Sequence, residues 1–155
     1  MVDKLIVVDM EPGQATDNHR DIFKALFELD FSKIKTRQEA DEFLVNRIPD
    51  SGTRQFLLKN ITREDDGTYS WKMNLPVLWK FYPYILAPVT GTPYDKPTLF
   101  IRGSRSDYIR DEDIPGIMQL FPQAQVITIE GAGHWVHADQ PAALLDALKS
   151  FLGPG

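Results

Sequence analysis

Thr98-Leu99-Phe100-Ile101-Arg102-Gly103 is the stretch whose reading decides the fold. Its apolar run does not alternate, is bounded by Pro97 and Gly103, and has the length of one strand. A strand of that kind is buried on both faces, as in a parallel sheet covered by helices. Working outward, Asp111 to Phe121 has helical spacing, Ala124 to Ile129 reads as another strand, and Pro141 to Leu152 is an amphipathic helix. Strand, helix, strand, helix at this spacing predicts parallel βαβ architecture.

Leu5-Ile6-Val7-Val8 is a third run of the same type, predicted to be buried on both faces. Between it and Thr98 the pattern is helical. His19 to Leu29 carries an apolar stripe of Ile22, Phe23, Leu26, Phe27 and Leu29. Thr36-Arg37-Gln38-Glu39 fits a capping box ahead of Ala40, Phe43, Leu44 and Ile48. Ser51 is a candidate cap for a short third helix, Glu64 to Gly67 a turn, Thr68 to Lys72 an extended piece, and Leu75 to Tyr82 a helix. Pro83 to Pro97, with its prolines, reads as a connection. The expectation is an α/β chain of about three parallel strands with flanking helices and a helical insertion after the first strand. Residues 1–18 and 97–155 would form the sheet portion, and residues 19–96 the insertion.

Composition narrows the function classes. The 155 residues have 43% hydrophobic content, 22 acidic against 17 basic residues, a net charge of −5 and no cysteine. That content is globular rather than disordered. Absence of cysteine excludes disulfides, thiol catalysis and cysteine-ligated zinc. Lys and Arg are scattered, with no patch to attract a phosphate backbone, so nucleic acid is not an expected partner. No apolar run reaches the length of a membrane span, and the amino terminus lacks a signal-peptide pattern, so neither membrane insertion nor export is expected, and a cytoplasmic location is.

In parallel α/β sheets, functional groups collect beyond the carboxyl ends of the strands. Three such loops carry candidates: Asp9 after the first strand, Ser104, Ser106 and Asp107 after the second, and His134 in Glu130-Gly131-Ala132-Gly133-His134-Trp135 after the third. A carboxylate and an imidazole on neighbouring loops can pair for general-base work. His134, His137 and Asp139 could also suggest a metal. The HxxH spacing lacks the i,i+4 register of zinc helices, however, so no metal site is expected and His137 reads as structural or pocket-lining. Asp139 reads as the cap of the last helix. Trp71, Trp79, Tyr82 and Trp135 could line an apolar pocket; for the first three, core packing is the simpler reading.

Gly131 to Pro141, preceded by Pro97 to Gly103, resembles the C-terminal half of α/β-hydrolase-fold esterases, and within them the YbfF-like, alpha/beta hydrolase domain-containing group. Val7 to Pro12 resembles the segment after that group's sixth strand. Arg54 to Asn60 and Trp71 to Leu75 resemble its helical cap. The resemblance implies hydrolysis of a carboxylic ester or thioester without a cofactor. It makes His134 the general base, and Trp135, Trp71 and His137 substrate-binding residues. The acid expected three residues beyond Gly103 is instead Ser106, with Asp107 one place later; some members of the group take the acid from the loop where Asp9 stands. Asp9 assisted by Ser106 is therefore preferred, with Asp107 the alternative. No G-x-S-x-G elbow occurs. The expectation is the acid and histidine half of an enzyme without its serine. Its partners would be a small ester substrate and either an N-terminal half or a second copy at the exposed sheet edge. A non-catalytic binding or assembly module is the alternative function.

Overall fold

The computed structural model describes residues 2–153. In chain order it contains β1 (Leu5–Val8), α1 (Arg20–Glu28), α2 (Arg37–Leu44), α3 (Ser51–Leu58), β2 (Ile61–Arg63), β3 (Tyr69–Trp71), α4 (Leu75–Ile85), β4 (Thr98–Gly103), α5 (Ile114–Leu120), β5 (Ala124–Ile129), α6 (Val136–Asp139) and α7 (Pro141–Leu152). The chain divides into two compact units, residues 1–15 with 87–155 and residues 16–86.

The first unit is a parallel three-stranded sheet in the order β1-β4-β5. β4 is its axis because it alone is paired on both sides. Side chains alternate across a strand, and β4 uses both directions. Leu99 and Ile101 join Ile129, Ala132 and Val136, covered by Leu144, Leu148 and Phe151 of α7. Phe100 points the other way, to Ile109, Ile117 of α5 and Ala124. That two-sided burial is why β4 reads as an unbroken apolar run. The same expectation for β1 is corrected: its residues are half-buried and Val8 is exposed. Among the described residues β1 pairs only with β4, so it stands at an edge of this sheet.

The connection after α4 belongs with the sheet. Val89 N–H donates to Pro12 O (2.8 Å), Tyr94 N–H to Leu120 O (2.8 Å) and the Tyr94 hydroxyl to Val2 O (3.0 Å). The dividing line therefore falls at Leu86, ten residues before the expected one.

The second unit packs α1 to α4 and the β2–β3 hairpin around Ala25, Leu26, Leu29, Ala40, Leu44, Ile48, Leu58 and Leu75. Thr36 caps α2 by accepting from Glu39 N–H (3.1 Å), but Glu39 returns its bond to Lys35 N–H, one residue short of a capping box. Asp50, rather than Ser51, caps α3 through Thr53 N–H (2.6 Å). α4 runs through Pro83 to Ile85 instead of ending at Tyr82. Pro83 is exposed near the end of the helix, where its missing N–H removes one bond and the final turn still closes with Leu86 N–H on Tyr82 O. Arg54, buried between α2 and α3, donates to Asp41 Oδ1 (2.9 Å) and to the carbonyls of Ile48 and Pro49 (2.8 Å each), joining the two helices. No helix among the described residues is long and apolar enough to cross a membrane.

Phe100 is 1% exposed and meets Phe121 edge to face at 5.2 Å. Phe100→Ala should cost about 3–5 kcal/mol, seen as a lower urea midpoint in the unfolding of the sheet unit. An unchanged midpoint would mean that β4 is not the packed axis described.

Candidate active site

The site is built where the three parallel strands end. Asp9 extends the β1–β4 ladder by one bond, its N–H donating to Ile101 O (2.7 Å), and then leaves the strand in the left-handed region at φ 50°. Asp is one of the few non-glycine residues that visits this region readily. The turn puts its side chain under the neighbouring loops, where it is 0% exposed. A buried carboxylate must be compensated by donors, and each of the three loops takes part. Oδ1 accepts from Gly103 N–H (3.2 Å), while Oδ2 accepts from the Ser106 hydroxyl (2.5 Å) and from His134 Nδ1 (2.8 Å).

This arrangement decides the histidine tautomer. With Asp9 accepting at Nδ1, the proton sits there, and Nε2 keeps its lone pair. The His134 side chain is 41% exposed, so the basic nitrogen is on an accessible ring.

The loop holding His134 is fastened to the one after β4. Ser104 Oγ accepts from Gly131 N–H (2.9 Å), and Arg105 donates to Ala132 O from its backbone (2.9 Å) and to Gly131 O from its guanidinium (2.5 Å). Gly131 takes φ 74°, a conformation suited to glycine. Gly103 is required for another reason: a Cβ there would collide with the carbonyl oxygens of Ala132 and Gly133. That close approach of two backbones brings Asp9 and His134 within reach of each other.

Asp139 corrects an expectation. It does not cap α7, whose N-cap is Gln140 with no side-chain bond. The one-turn helix α6 carries it back, so that its Oδ2 accepts from Gly133 N–H (2.7 Å), beside the catalytic candidate. Tyr108 was not singled out in the sequence, yet its ring stacks on His134 with centroids 3.8 Å apart and planes at 18°. Burial, and the charge of Asp9 nearby, hold its phenol above the ordinary value. Its only sequence signal is its place two residues after Ser106.

The remaining candidates are more dispersed. Asp107 is exposed on the loop whose Ser106 reaches Asp9. Trp135 is half-buried, and His137 lies exposed on α6. Trp71 belongs to the helical unit, where it is half-buried and meets Phe31 edge to face at 5.2 Å. No three His, Asp or Glu side chains among the described residues gather as a metal site. An apolar hollow of about 310 Å³ lies at the opposite, amino end of the strands, lined by residues including Leu5, Tyr94 and Phe121.

No protein-family model matches the chain. It is 38% identical to esterase YbfF of Escherichia coli over 152 residues, 97% of this chain and 58% of that protein. It is also 38% identical to the sn-1-specific diacylglycerol lipase ABHD11 of Mus musculus over 159 residues, 98% of this chain and 52% of that one. A solved marine microorganism esterase superposes with a TM-score of 0.92 at 43% identity, covering 97% of this chain and 60% of its own. The chain has the fold of the C-terminal part of the α/β-hydrolases. It spans about half the length of the curated relatives that it matches. The matched part consists of parallel strands with flanking helices, and a helical unit between the first two strands of the sheet.

Gly103→Ala should lower stability by about 1–3 kcal/mol by overpacking the loop junction, and should shift the imidazole resonances of His134 while leaving His19 unchanged. Thermal unfolding and proton–nitrogen NMR of the two proteins would show both effects. Unaltered stability and spectra would rule out the close approach.

Proposed function

We propose that this chain supplies the acid and base of a carboxylic-ester or thioester hydrolase, with His134 as general base and Asp9 as the acid that orients it. The observation that carries the reading is the 2.8 Å bond from His134 Nδ1 to a carboxylate with no exposed surface. Such a pair fixes one tautomer and stabilises the imidazolium that follows proton uptake. Ser106 assists by donating to the same Oδ2, and exposed Asp107 has no part.

In the proposed reaction, Nε2 of His134 takes the hydroxyl proton of a serine as its oxygen bonds to the acyl carbon. The same proton then passes to the departing alcohol or thiol as the acyl–oxygen or acyl–sulfur bond breaks. A water molecule, deprotonated in turn by Nε2, bonds to the acyl carbon, and Nε2 returns that proton to the serine oxygen as the acyl–serine bond breaks and the acid leaves. No metal or organic cofactor enters these steps. The sequence has no G-x-S-x-G, and its two serines beside the pair are engaged, Ser104 with Gly131 N–H and Ser106 with Asp9. The serine and its oxyanion donors are therefore assigned to the N-terminal half of the fold, which these residues do not span. The esterase and lipase names of the relatives support the substrate class, and Trp135 and His137 are proposed to border the ester.

Reconstitution tests this reading. The purified chain should leave p-nitrophenyl butyrate intact by itself. Mixed with an N-terminal half carrying the serine elbow of a related esterase, it should hydrolyse the ester, and His134→Ala should reduce turnover by at least about a thousandfold. A stable complex without turnover would favour the binding module instead. Turnover by the chain alone would place the nucleophile within these residues.

A further inference from the structure

A single hydrogen bond at Nδ1 does not hold an imidazole plane. The second side-chain torsion of histidine is broad, and a twist about it would swing the ring out of plane and carry Nδ1 away from Asp9. The His134 side chain is 41% exposed, so packing on its outer side is sparse. The ring nevertheless has a flat partner: Tyr108 lies face to face with it at 3.8 Å and 18°.

Tyr108 is itself anchored to the same carboxylate. Its backbone N–H donates to Ser106 Oγ (3.3 Å), and that hydroxyl donates onward to Asp9 Oδ2 (2.5 Å), the oxygen that accepts from His134. The imidazole is thus gripped at its edge by Asp9 and on its face by Tyr108, and both grips trace back to one buried group.

We propose that Tyr108 is a positioning residue for His134, its ring fixing the imidazole in the plane that commits Nδ1 to Asp9 and turns Nε2 outward. The catalytic consequence rests on the general-base reading above, whereas the geometry can be tested without any turnover. The ring face does this work rather than the hydroxyl, so phenylalanine should substitute and leucine should not.

The test uses the intact chain labelled with nitrogen-15 and carbon-13, as wild type, Tyr108→Phe and Tyr108→Leu, with His134 assigned from the spectrum of His134→Gln. Wild type and Tyr108→Phe should each show a single Nδ1–H tautomer at His134. Tyr108→Leu should raise the other tautomer by about three- to tenfold, the population equivalent of one aromatic contact. Modification of Nε2 by diethyl pyrocarbonate should change by a similar factor, with His19 and His137 unaffected. A leucine variant matching wild type, or a phenylalanine variant as disturbed as leucine, would overturn the proposal. Should circular dichroism show the leucine variant unfolded, cross-relaxation in the wild type decides: contacts from the Tyr108 ring to His134 Hε1 or Hδ2 support the stack, and their absence refutes it. Because these readouts need no serine, a failed reconstitution and a failed stack are separate results.

Discussion

A carboxylate with no exposed surface governs this molecule. Removing Asp9 from water is costly unless donors replace the water it loses, and the fold assembles them from three places. One is the backbone at the end of β4, one the hydroxyl of Ser106, and one the ring of His134. The strand ends can satisfy that demand only if they converge, so the site and the sheet are one structural problem.

The sheet solves it through β4. Its alternating side chains are claimed by α7 on one face and α5 on the other, which sets the strand in the middle with no freedom to slip. With β4 fixed, register carries Val8 opposite Ile101 and Gly103 opposite Ile129, so the loops that follow emerge side by side. Gly103 then allows the loop after β5 to approach closer than any side chain would permit. Ser104, Arg105 and Asp139 hold it there, each bonded to the backbone of Gly131, Ala132 or Gly133. The imidazole is positioned by backbone contacts before its own side-chain bonds are counted.

Sequence features with purely local causes were legible. Unbroken apolar runs marked β1 and β4, β5 was read as a strand from Ala124 to Ile129, and Pro141 to Leu152 is a helix over the span that its periodicity indicates. Errors arose where a neighbour in space overrides the local pattern. β2 went unread because three residues, Ile61-Thr62-Arg63, show no alternation until Tyr69-Ser70-Trp71 pairs with them. Asp139 stands where a helix cap should, but α6 turns it toward Gly133.

The same division runs through the site. By itself the sequence determined the α/β class, the loops that hold the chemistry, and Asp9, Ser106 and His134 as candidates, because strand ends and residue types are encoded locally. Only the tertiary structure decided that Asp9 rather than Asp107 bonds the imidazole, that Asp139 braces the loop, and that Tyr108 faces the ring. Asp9 and His134 are separated by 125 residues of chain. A 2.8 Å contact across that distance depends on strand register and on the absence of one Cβ, and neither has a periodicity to be read.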